Sequence, residues 1–190
     1  MVIQPAPFPA LGIDCVTVLD ATSAAALKAQ GISFAIRYLG SVTASELEAI
    51  LDAGLLASVV TYADQFDGPS TIRELTALGI PEGVTVWLDV ESVHEDAQTL
   101  IASINNWASH VSALGWQPGL YVGANQPLTG EQLYQLRVVR YWKSMSQVTE
   151  PSCGWSMVQA YKTTTIAGTQ VDVDYVTYDY QSRLPMMVSA

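Results

Sequence analysis

The chain has 190 residues, 49% of them apolar, and carries 8 basic residues against 18 acidic ones for a net charge of −10. That length and apolar share favour one domain over residues 1–190 with a sizeable core, and they exclude a disordered chain. The charge excludes the basic face that nucleic-acid binding needs and disfavours anionic membranes, and no apolar run reaches the roughly 18 residues of a membrane span.

In chain order, Gly12–Val16 reads as a strand, and Ala21–Gln30 as a helix stopped by Gly31 at the usual C-terminal position. Phe34–Tyr38 is the second strand. Thr43 with Glu46 forms a capping box that opens a helix with Leu47, Ile50 and Leu51 on one face, ended by Gly54. Leu56–Tyr62 is the third strand, followed by a short helix over Ser70–Leu78 that ends at Gly79. Val84–Glu91 is the fourth strand and the clearest. Ser92 with Glu95 makes a second capping box, before a helix whose Leu100, Ile101, Ile104, Ala108 and Val111 repeat at amphipathic spacing. Gly119–Val122 is the fifth strand, and Thr129 and Gln132 cap a short helix through Leu136.

After that the rhythm changes. Val138–Trp142, Met157–Tyr161 and Gln170–Val173 read as strands with no strong helical pattern between them. Five βα units followed by three strands with few helices predict an α/β fold, a small TIM-type barrel with its core over about 11–176. A full barrel usually takes about 250 residues, and the missing late helices supply the economy. An open doubly wound sheet is the alternative.

Side chains alternate along a strand, and a charge inside a barrel needs a reason. In the fourth strand Val84, Val86, Leu88 and Val90 suit the helices, which leaves Thr85, Trp87, Asp89 and Glu91 facing inward. Trp87 is assigned to packing. Asp89 and Glu91 fall at the C-terminal end, where active sites of such barrels lie, with Cα atoms about 6.6 Å apart from two strand rises. Two carboxylates at that distance push their pKa values apart, so one can be an acid while the other stays charged, as glycoside hydrolysis requires. The plainer reading makes Glu91 the first loop residue and Asp89 a helix-cap partner.

Other strands add polar ends. Asp14 faces in if Ile13 and Cys15 face the helices. Arg37 shares a face with Ala35, opposite Phe34, Ile36 and Tyr38, and is expected inside near the carboxylates, where it could equally serve only to neutralise Asp14. Asp172 and Asp174 share a face opposite Val171 and Val173, and Gln159 shares one with Tyr161. Converging polar ends on several strands point to a site. Tyr38, Tyr62, Tyr121, Trp142 and Tyr161 lie at or near strand ends, where sugar rings stack, although aromatics are also common in cores. The catalytic candidates are therefore Glu91, Asp89, Asp14 and Asp172. The substrate-binding candidates are Arg37, Tyr38, Tyr62, Tyr121, Trp142, Gln159, Tyr161 and Asp174. His94 and His110 are read as solvated. Cys15 and Cys153 fit no metal spacing and read as free thiols, and no Gly-rich phosphate cradle follows a strand. Neither metal nor cofactor is expected.

The segments Gly12-Ile13-Asp14, Arg37-Tyr38-Leu39-Gly40, Val86-Trp87-Leu88-Asp89-Val90-Glu91, Gly119-Leu120-Tyr121-Val122-Gly123 and Val171-Asp172-Val173-Asp174 come in an order and spacing that resemble the DUF1906 family of glycoside hydrolase-like domains, relatives of the family 25 lysozymes. The resemblance covers Leu11 to Val176 and implies a muramidase-type barrel. It also implies that Glu91 is the general acid, that Asp89 assists the substrate's N-acetyl group or stabilises the charged intermediate, and that Asp14 and Asp172 complete an acidic floor. The short stretch over 63–83 departs from the family pattern and trims one wall of the groove.

Two main readings follow. One is a hydrolase of peptidoglycan or a related N-acetylated polysaccharide. The other is a catalytically silent barrel that binds glycan or serves in a phage or secreted assembly. An unrelated small-molecule barrel enzyme is the third. The N-terminal stretch has no basic start and no continuous apolar run, so the sequence predicts a cytoplasmic protein as synthesised, or a phage-encoded one released later.

Overall fold

In the computed structural model the chain is described at every residue except Phe66 and Ser92, and the side chains of Tyr161 and Lys162 also lie outside the description. The elements follow in the order β1 (Val2–Pro5), β2 (Leu11–Cys15), α1 (Ala21–Ala29), β3 (Phe34–Tyr38), α2 (Ala44–Asp52), β4 (Leu56–Tyr62), α3 (Gly68–Ala77), β5 (Thr85–Asp89), α4 (Ala97–Ala113), β6 (Gln117–Val122), α5 (Gly130–Tyr134), β7 (Arg140–Lys143), β8 (Met157–Ile166), β9 (Thr169–Val176) and β10 (Met186–Ser189). Among the described residues no helix is long and apolar enough to cross a membrane.

Strands β2 to β9 close into an eight-stranded α/β barrel. Neighbours from β2 to β8 run parallel, while β9 is antiparallel to both β8 and β2 and completes the ring. The open doubly wound alternative is therefore not adopted. β9 reverses because β8 and β9 form a hairpin whose ladder ends at Ile166 and Thr169. Ala167 and Gly168 between them have φ of 50° and 82°, the left-handed pair of a two-residue turn that matches strand twist.

Helix ends follow local chemistry. Asp20, Thr43, Asp67, Asp96 and Thr129 each accept a backbone N–H of the first turn. Thr129 and Gln132 form the full reciprocal box. Two expectations change here. The fourth helix is capped by Asp96, four residues past Ser92, which lies outside the described residues. At α2, Thr43 caps Glu46 N at 3.2 Å, but the Glu46 carboxylate does not return to Thr43. It is diverted into a buried ion pair with Arg37, at 2.6 Å from Nε, and also accepts Leu19 N at 2.8 Å.

Two cores result. The outer one packs Ile13, Ala35, Val59, Val86, Leu88, Val90, Leu120 and Val122 against the helices. The inner one fills the barrel with Phe34, Ile36, Val60, Trp87, Tyr121, Trp142, Met157 and Val176, together with Met187 from the C-terminal strand. Gly12 is required where Phe34 enters, since a Cβ there would lie 2.1 Å from the ring. β1 and β10 were not anticipated. They pair with each other from Val2↔Ser189 to Pro5↔Met186, and β10 touches β4 at Val188↔Ala57. Met186 N donates to Thr85 Oγ1 at 2.9 Å, so the chain ends lie against the end of the barrel opposite Asp89.

Candidate functional site

Each barrel strand contributes a polar or aromatic side chain near one end of the barrel. Asp14 comes from β2, Tyr38 from β3, Tyr62 from β4, Asp89 from β5, Tyr121 from β6, Trp142 from β7, Gln159 from β8, and Asp172 and Asp174 from β9. Strand alternation explains the set. The neighbours of these residues, among them Ile13, Leu88, Leu120 and Val173, face the outer core. Because β9 runs antiparallel, Asp172 is nearer the mouth and Asp174 lies deeper, opposite Gly12, while Asp172 pairs with Asp14.

The bonding converges on Asp14. Tyr38 Oη donates to its Oδ1 at 3.3 Å, and Gln159 Nε2 donates to its Oδ2 at 3.1 Å. The same Gln159 nitrogen reaches Asp172 Oδ2 at 3.2 Å, while its Oε1 accepts Tyr121 Oη at 3.2 Å and Met145 N at 3.3 Å. Asp172 Oδ1 also accepts the backbone N–H of Thr163, a residue with φ of 44° in an irregular stretch of β8. Asp174 accepts Trp142 Nε1 at 2.9 Å. Across the mouth, Asp89 Oδ1 accepts Glu91 N at 2.8 Å.

Two cavities open here and share Tyr62, whose ring stacks on Tyr38 at 4.8 Å between centroids. The smaller, of about 240 Å³, lies over Asp14, Tyr38 and Asp172. The larger, of about 990 Å³, runs past Asp89, Glu91 and Asp64 toward Arg73 and His94. Among the described residues no group of three or more His, Cys, Asp or Glu is arranged to hold a metal ion.

Burial dominates the electrostatics. It pushes the Asp14 carboxyl up to about 6, with the charge of Asp172 adding to the shift and the Gln159 bond opposing it. It pushes Asp89 up to about 7, opposed by the Glu91 N–H and helped by the charges of Glu91 and Asp14. Asp174, fully buried, is held well above the ordinary carboxylate range. The Tyr38 and Tyr121 hydroxyls are raised too, by burial and then by the carboxylates around them, so both remain donors.

These shifts set a pH dependence of stability. Asp14 and Asp89 keep protons in the folded state at pH values where the unfolded chain, near 3.8, has released them. Their contribution is therefore present below about pH 4 and is lost as pH rises through about 6 to 7. Thermal melts should show a lower Tm at pH 8 than at pH 5, and Asp89→Asn should recover on the order of 5 °C at pH 8. A Tm in the variant that keeps the wild-type fall with pH would contradict the burial of Asp89.

Not every candidate lies where the sequence placed it. Asp14, Asp89, Asp172, Tyr38, Tyr62, Tyr121 and Gln159 come together at the mouth. Arg37 does not. It is fully buried on the outer face of β3, bonded to Glu46, with Nη1 at 3.5 Å from Cys15 Sγ. Phe34, Ile36 and Tyr38 take the inner face because large side chains fill a barrel better than Ala35 does. Trp142 and Tyr121 are nearly closed to solvent, 1% and 6% exposed, so neither offers a face for stacking. Asp174 is completely buried beneath the mouth, where it accepts the Trp142 indole N–H. The side chain of Tyr161 lies outside the described residues.

Glu91 is exposed on the rim, just beyond the end of β5. Its backbone passes so close to Gly123 that a Cβ there would sit 2.3 Å from Glu91 Cβ and 2.5 Å from its Cα. Gly123→Ala should cost about 1–3 kcal/mol by overpacking, read as a lower urea midpoint, since the clashing atoms include backbone. Sequence reasoning missed this glycine's role and the burial of Asp174 beneath Asp172. The second had a signal, the two-residue spacing of Asp172 and Asp174, but only the antiparallel register shows which is deeper.

A family model described as Rv2525c-like, glycoside hydrolase-like domain matches residues 25–178. No curated protein matches the chain. Among solved structures, the chain resembles the 1.07 Å crystal structure of an uncharacterized B. stearothermophilus protein, with a TM-score of 0.70 and 16% identity, over 88% of this chain and 96% of that one. At that identity the likeness is one of fold.

Proposed function

Because the chain belongs to the Rv2525c-like family of glycoside hydrolase-like domains, we propose that its barrel mouth binds an N-acetylated polysaccharide such as peptidoglycan and hydrolyses it by carboxylate acid catalysis. The observation that carries this reading is the placement of Asp89, a buried carboxyl at the end of β5 that lines the larger cavity with the exposed Glu91, where burial pushes its pKa up to about 7. A general acid must hold its proton near working pH and reach the bond that breaks.

That requirement reassigns the roles within the D-x-E pair. Asp89 is the proton donor to the leaving glycosidic oxygen. Glu91, accessible on the rim, is the neighbouring carboxylate that supports the developing positive charge or orients the attacking water. Asp14, with both oxygens hydrogen-bonded, supplies a fixed negative charge on the far side. The half-buried Tyr38 and Tyr62 are the rings available to the sugar, and Asp172 and Gln159 offer polar contacts.

Turbidity loss on purified cell walls tests the reading, with binding of short N-acetylated oligosaccharides followed by calorimetry in parallel. Loss of turbidity abolished by Asp89→Asn supports it. Oligosaccharide binding with no turnover by the wild type would make the barrel a glycan-binding module. Neither binding nor turnover would remove the glycan altogether.

A further inference from the structure

Asp174 is completely buried on β9, and its carboxyl is only half accounted for by donors. Oδ1 accepts Trp142 Nε1 at 2.9 Å, while Oδ2 has no donor among the described residues. On the adjacent strand its diagonal neighbour across the β2–β9 ladder is another carboxyl, that of Asp14, whose charge raises the Asp174 pKa further. Two neighbouring buried carboxyls cannot both be charged, so one of them carries a hydrogen.

The bonding decides which one. Asp14 accepts from Tyr38 on one oxygen and from Gln159 on the other, both of which favour its charged form. Asp174 has a single donor among the described residues and is closed to solvent. The titratable groups facing it are Asp14 on β2, Asp172 on its own strand and Tyr121 on β6, none of them a cation, while β7 and β8 present Trp142 and Gln159. Every neighbouring charge therefore opposes ionisation of Asp174.

Resting on the glycan-site reading above, we propose that Asp174 is a positioning residue, a carboxylic acid that keeps its hydrogen at neutral pH and donates it to Asp14, thereby fixing Asp14 as the hydrogen-bonded carboxylate that faces the glycan. The pair then holds one proton and one negative charge, with the charge directed to the mouth. Asp14 takes three hydrogen bonds, from Tyr38, Gln159 and Asp174, and has little freedom to rotate.

Infrared spectroscopy of the unligated protein at pH 8, above the Asp89 transition, tests this directly. The wild type should show the C=O stretch of a protonated carboxyl, and Asp174→Asn should lose it. The Asn amide still accepts from Trp142 and donates to Asp14, so the Asp14 midpoint, followed by carboxyl carbon NMR, should stay close to wild type. Asp174→Leu supplies no donor, and the midpoint should rise by about one pH unit. A wild type without the band at pH 8, a band that survives in Asp174→Asn, or an Asp14 midpoint unmoved by Leu would each overturn the assignment. The wild-type band needs no variant to fold. None of these measurements involves a glycan, so failure of glycan binding with the band behaving as expected would reject only the glycan reading.

Discussion

Asp89→Asn is expected to slow hydrolysis of purified cell walls by about 10²–10⁴-fold, the usual worth of a positioned acid. The amide keeps the shape and still accepts the Glu91 N–H that Asp89 Oδ1 now holds at 2.8 Å, but it has no proton to give. The pH profile is the sharper readout. With Asp89 raised to about 7, wild-type turnover should fall as pH rises through that value, because the acid is being lost. In Asp89→Asn the residual rate should no longer show that limb. Glu91→Gln should also lower turnover, while short-glycan binding survives both changes. A basic limb that persists in Asp89→Asn and disappears in Glu91→Gln would return the acid role to Glu91, as the family resemblance implied.

The second large effect concerns stability. Arg37→Ala is expected to destabilise the fold by about 3–5 kcal/mol, because it leaves the Glu46 carboxylate buried without its cation. Arg37 and Glu46 are 0% and 4% exposed, and Glu46 Oε2 already lacks a partner among the described residues, so the site has no reserve of solvation. The pair ties β3 to α2 and, through Leu19 N, to the segment after β2. Urea denaturation measures the loss. Arg37→Met with Glu46→Leu, which removes both charges, should recover much of it. If Arg37→Ala instead leaves the urea midpoint unchanged and weakens glycan binding, Arg37 belongs to the mouth after all.

Much of the site could be read from the sequence wherever a strand alternates cleanly. In and just past β5 the aliphatic Val86, Leu88 and Val90 identify the outer face, and Asp89 follows as an inner residue from periodicity alone. The same rule placed Asp14 through Ile13 and Cys15, and Asp172 with Asp174 through Val171 and Val173. It failed at β3, where both faces are buried and Ala35-Ile36-Arg37-Tyr38 offers no consistent contrast. There the decision came from a partner nine residues away, Glu46 on α2, which can reach Arg37 only on the outer face.

The succession of strands and helices along the chain, the helix caps at Thr43 and Thr129 and the inward carboxylates of β2, β5 and β9 are thus properties of local sequence, set by side-chain period and by which residues accept backbone N–H groups. Tertiary structure decided what depends on contacts between distant segments. The Val2–Ser189 pairing could not be seen in either short end alone. The reversal of β9 set Asp174 beneath Asp172, and closure of the barrel removed solvent from Asp14, Asp89 and Asp174 together. Composition shows that a carboxyl is present. Whether it holds its proton depends on the water and donors around it, and those are supplied by the eight strands as they close.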